Sequence, residues 1–78
     1  MKQTVEQIMA KTLKVPESDI HDHLTMDDLE DWDSLKHMEL IIAIETSAGI
    51  ELTFDEIVNM RSVLAIKKVL YARGMIEL

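Results

Sequence analysis

Apolar positions recur along this chain at helical spacing and nowhere show the alternation of a strand. Val5, Ile8, Met9, Thr12 and Leu13 follow an i, i+3, i+4, i+7, i+8 pattern, leaving Glu6, Gln7 and Lys11 for solvent. This predicts a first helix from about residue 3 to residue 14. Pro16 has no amide hydrogen and disfavours helical geometry at Val15, so the helix should stop there.

From Glu17 to Asp33 the apolar residues thin out, yet Ile20, Leu24, Met26, Leu29 and Trp32 recur often enough to pin the segment onto a core. An ordered loop is expected, of a length that is usually functional when it has no structure of its own. Thr25, followed by Asp27 and Asp28, is expected to start one short helical turn.

A second helix is predicted over Ser34–Ala48, capped by Asp33 or Ser34 and ended by Gly49 in the left-handed region, with Ile50 folding back onto Ile44. At about 100° per residue, His37, Leu40, Ile41, Ile44 and Ala48 form one stripe. Leu35, Met38 and Ile42 form another beside Ser34, Glu39 and Glu45. A thin core cannot cover both, so one stripe should face the interior and the other should meet partners as an apolar patch rimmed by acids.

Thr53-Phe54-Asp55-Glu56 reads as a capping box, opening a short third helix that runs to about Met60 and buries Phe54, Ile57 and Val58. Ser62 should cap a fourth, with Val63, Ile66, Val69 and Leu70 on one face and Gly74 ending it at Arg73. The expectation is an all-α, four-helix bundle over residues 1–78, with a long first loop and a short third helix.

Composition narrows what such a bundle can do. A chain of 78 residues buries a thin core, and without cysteine neither a disulfide nor a thiolate zinc site supports it. No leader or long apolar run is evident, so a cytoplasmic monomer without a membrane span is expected. The net charge of −7 repels nucleic acid and anionic lipid and favours basic protein surfaces. Glu17, Asp19, Asp22, Asp27, Asp28, Glu30, Asp31 and Asp33 crowd the loop before Ser34, with no lysine or arginine among them.

Asp33-Ser34-Leu35 at the start of the second helix, together with Val15-Pro16, Glu39, Ile44-Glu45, Gly49-Ile50 and Ser62-Val63, resembles the pattern of acyl carrier proteins over nearly the whole chain. The resemblance implies that Ser34 carries 4′-phosphopantetheine, moved from coenzyme A by a phosphopantetheinyl transferase. Asp33 and Leu35 would support the motif. Acyl intermediates would then ride as thioesters to separate loading, condensing or acyltransferase enzymes with basic docking patches. The residues implied to meet those partners are Leu35, Lys36, Met38, Glu39, Ile42 and Glu45, and the carrier itself would catalyse nothing. Trp32, Lys36 and His37 depart from the fatty-acid pattern and look more like carriers of polyketide, nonribosomal or surface-saccharide pathways.

The same residues admit other readings. Ser34 and His37, three apart on a helix, suggest a nucleophile and base, but no nucleophile-elbow glycines accompany them. The acidic loop with His21 and His23 suggests metal, but no frame fits a calcium-loop pattern: from Asp31 the fifth residue is Leu35, and from Asp28 it is Trp32. A non-covalent acidic helical interaction module would explain the patch and leave Asp-Ser-Leu as coincidence.

Overall fold

The computed structural model describes residues 3–77. Four α-helices are present, α1 (Val5–Leu13), α2 (Ser34–Ala48), α3 (Phe54–Asn59) and α4 (Val63–Ala72), with a 3-10 turn at Glu17–Asp19. Among the described residues the extended structure is limited to an isolated bridge between Thr25 and Ser62.

α1 is shorter at both ends than its apolar pattern suggests. Thr4 and Gln7 form a capping box, each side chain bonded to the other's backbone amide at 3.0 and 2.9 Å. At the other end Lys14 turns left-handed with φ 59°. Its amide and that of Val15 both close onto the Ala10 carbonyl, which terminates the helix before Pro16.

The long loop is held down as expected: Ile20, Leu24 and Trp32 are buried, and Met26 and Leu29 are half-buried against the same core. It also seals the start of α4. Leu24 and Asp22 carbonyls accept the Val63 and Leu64 amides at 3.0 Å each, and Ser62 Oγ accepts Ala65 N–H at 3.0 Å. Thr25 opens a single turn as expected: its carbonyl accepts the Asp28 amide at 3.0 Å and its own amide donates to Asp28 Oδ2 at 2.9 Å, while the bridge to Ser62 keeps the chain from continuing as a helix.

α2 has the predicted bounds, and the amides of Gly49 (φ 68°) and Ile50 both reach the Glu45 carbonyl. Leu40, Ile41 and Ile44 enter a core shared with Val5, Ile8, Met9 and Leu13 of α1 and Val63, Ile66 and Leu70 of α4. Burial of that apolar surface is the main favourable term for the fold. α3 carries the predicted Thr53–Glu56 capping box but does not bury the residues expected of it. Phe54 is 78% exposed and Val58 49% exposed. Fewer than two turns offer one narrow inward line, occupied by half-buried Ile57 and buried Met60, with Phe54 and Val58 on its flanks. α4 ends at Arg73, followed by Gly74 at φ 73°.

Candidate functional site

The start of α2 is built by its N-cap. Asp33 lies in extended backbone, its Oδ1 accepts the Lys36 amide at 2.9 Å, and its carbonyl accepts the His37 amide at 2.8 Å. Ser34 is thereby the first helical residue, exposed, and its hydroxyl makes no hydrogen bond among the described residues. The Ser34 and Leu35 amides likewise have no partner there, unlike the Val63 and Leu64 amides that the loop closes at α4. Open amides at the positive end of a helix suit an anion. A phosphodiester on Ser34 therefore fits. The exposed Asp31 and Asp33 carboxylates oppose it, in a solvent-screened setting.

Directly behind this serine, Trp32 is buried and its indole Nε1–H donates to His37 Nδ1 at 3.1 Å. An indole nitrogen can only donate, so Nδ1 must accept and the imidazole proton sits on Nε2. From there it donates to the Ile57 carbonyl at 2.9 Å. Neutral His37 thus has both nitrogens committed, and joins the residue before the motif to α2 and to the last turn of α3. It has no nitrogen left to act as a base for Ser34, which removes the nucleophile–base reading. The apolar period puts His37 on one stripe with Leu40, Ile41 and Ile44 but does not show this bond; the signal was a tryptophan and a histidine five residues apart.

The second stripe of α2 faces out as expected, with Leu35 71%, Met38 47% and Ile42 59% exposed. Glu39 is exposed beside it and pairs with half-buried Lys36 at 3.1 Å. Glu45 differs from expectation. Half-buried, it accepts the Leu52 amide at 2.8 Å, because the α2–α3 connection folds back over it. Its carboxylate holds that loop instead of joining the outer rim.

The acidic loop is also partly spoken for. Asp22 bonds Lys67 Nζ at 2.6 Å and Glu6 bonds it at 2.7 Å; hydrogen bonding to Lys67 lowers both carboxyls and raises the lysine. Asp27, Glu30 and Asp31 remain exposed. His21 and His23 are exposed, and no group of three His, Asp or Glu side chains converges as a metal site among the described residues.

A family model described as a phosphopantetheine attachment site matches residues 3–70, from before α1 into the last turn of α4. The chain belongs to the phosphopantetheine-attachment family. A search of curated proteins returns no match. The cofactor is accordingly 4′-phosphopantetheine, bound covalently, on an all-α domain of the acyl-carrier type. Domains of this family are carriers and do not themselves catalyse. No helix among the described residues is long and apolar enough to cross a membrane.

Proposed function

We propose that Ser34 is the attachment residue and that the chain is a non-catalytic acyl carrier working in the cytoplasm. The observation that carries this reading is the free Ser34 hydroxyl at the open N-terminus of α2, directly after the capping Asp33, inside the span the family model matches. In the attachment step Ser34 Oγ bonds to the phosphorus that bears the arm. The bond from that phosphorus to the bridging oxygen of coenzyme A's pyrophosphate breaks, adenosine 3′,5′-bisphosphate leaves, and the hydroxyl proton passes to a base on the transferase. Bound there, the arm supplies a thiol that the chain itself lacks.

Leu35, Met38 and Ile42, with Glu39 beside them, form the face offered to partners, and Lys36 sits at its edge as a half of the Lys36–Glu39 pair. Aliphatic contacts anchor such a surface while the acids choose basic partners and speed their encounter. Among the three departures from the fatty-acid pattern, Trp32 and His37 answer to each other through one bond. Lys36 is the departure a partner meets directly, and it supports a carrier of a specialised pathway.

Tandem mass spectrometry of the peptide spanning Asp31–Leu35, after incubation with coenzyme A, magnesium and a broad-specificity phosphopantetheinyl transferase, tests the assignment. The arm should map to Ser34, and mapping to another residue would overturn it. The exposed α2 face also suits a non-covalent interaction module. That reading predicts that Ser34→Ala binds partner enzymes as tightly as the arm-bearing protein, whereas a carrier loses the affinity its arm contributes.

A further inference from the structure

We propose that Trp32 and His37 are positioning residues for arm attachment: bonded to each other and braced on α3, they close the turn that carries Ser34 and hold its hydroxyl in line with the phosphorus it attacks. The proposal rests on the attachment reading above.

The exposed run Asp33-Ser34-Leu35 lies between two buried anchors, Trp32 before it and His37 after it. Within this segment the main chain closes first, the Asp33 carbonyl accepting the His37 amide at 2.8 Å and Asp33 Oδ1 accepting the Lys36 amide at 2.9 Å. The indole-to-imidazole bond of 3.1 Å closes it a second time, through side chains. His37 Nε2 then braces the closed turn on the Ile57 carbonyl at 2.9 Å, an oxygen that also accepts the Met60 amide at 3.3 Å where α3 ends.

A helix cap does not require that second closure. Thr4, Thr53 and Ser62 cap α1, α3 and α4 through bonds between side chain and backbone. Among the described residues, α2 is where a bond between two side chains spans the cap, and α2 is the helix that starts at Ser34. A buried polar pair carries a desolvation cost that an apolar pair avoids, and gives a defined geometry in return. That geometry matters here because the Ser34 side chain makes no hydrogen bond among the described residues. Its Oγ is placed by the backbone alone, so what fixes the turn fixes the nucleophile. A reacting atom misplaced by about 1 Å costs as much as 100-fold in rate.

The test separates positioning from stability by removing one partner and then both. Trp32→Phe and His37→Leu each leave a buried polar group unpaired, whereas Trp32→Phe/His37→Leu leaves none, which is close to neutral for stability. Arm attachment from coenzyme A by a broad-specificity phosphopantetheinyl transferase is followed at a temperature where circular dichroism shows each variant folded. Both single variants should lose about tenfold in kcat, with KM for the carrier within about twofold of the parent, because Leu35, Met38 and Ile42 still present the outer face. The double variant should regain melting temperature over the single ones while its kcat stays as low as theirs. An unfolded fraction acts differently: it reduces the usable carrier, raising KM and leaving kcat unchanged. A kcat that returns with stability in the double variant, or a loss carried by KM alone, would overturn the proposal and leave the attachment reading intact. If the single variants do not fold, the kcat of the double variant against the parent decides by the same two outcomes. No arm on the parent by intact mass would overturn the attachment reading, and this inference with it.

Discussion

His37 stands one turn after the serine that carries the proposed chemistry, and its two ring nitrogens decide what it can do there. With Nδ1 accepting from Trp32 and Nε2 donating to the Ile57 carbonyl, the ring fixes the loop, α2 and α3 relative to one another. Trp32→Phe keeps most of the apolar bulk but leaves Nδ1 buried without a donor, which should cost about 1–3 kcal/mol. In a domain this size each kcal/mol lowers the melting temperature by about 4–8 °C. An unchanged melting temperature would count against the bond. That His37 shares a face with Leu40, Ile41 and Ile44 was legible from the 3.6-residue period; its partner was not, because the period says nothing of which way a loop turns an indole. Lys14 is the second residue whose conformation its identity hides. A lysine held at φ 59° bears a left-handed strain of about 1–2 kcal/mol, against which glycine carries an added entropy cost of about 0.5–1 kcal/mol. Lys14→Gly should therefore raise the melting temperature by a few degrees, about 0.5 kcal/mol or more in net stability, and a lower value would contradict the strain argument.

Between elements, the Arg73 guanidinium ties the end of α4 to α3 by pairing bidentately with Glu56, and also donates to the Glu51 carbonyl at 3.0 Å. Hydrogen bonding to Arg73, assisted by the Thr53 amide, lowers the Glu56 carboxyl from its ordinary 4.5 to about 2. A carboxyl lowered on folding contributes stability that is full above its unfolded value and disappears as pH falls through its folded value. The contribution of this pair is therefore present above pH 4.5 and lost between about 4.5 and 2. Urea unfolding across that window should show a smaller acid loss of stability for Arg73→Met than for the parent, and parallel curves would refute the link. The elements themselves were largely legible, since caps and glycines punctuate them: Asp33 and Gly49 bound α2 where its pattern begins and ends. The inward face of α3 was not, because six residues are too few for periodicity to distinguish the Ile57–Met60 line from Phe54 and Val58.

Over the whole molecule, charge is the feature most clearly carried from sequence to structure. Asp27, Glu30, Asp31 and Asp33 stay exposed in the segment that leads to the serine, while Asp22 and Glu6 are drawn off by Lys67. Screening acts over about 10 Å at 0.1 M salt, so repulsion among the loop acids should relax with added salt or magnesium. The melting temperature should rise; a fall would show that ion pairs outweigh the repulsion. The order of helices and the two apolar stripes of α2 were readable from spacing, whereas which stripe faces outward was implied by the family resemblance and not by the period. The family match places the covalent arm on this domain, and the attachment point proposed for it is the Ser34 hydroxyl at the start of α2. Intact mass after incubation with coenzyme A and a phosphopantetheinyl transferase tests that most directly. The parent should gain the mass of one phosphopantetheine and Ser34→Ala none, whereas no adduct with several such transferases, or an adduct that survives Ser34→Ala, would contradict the account.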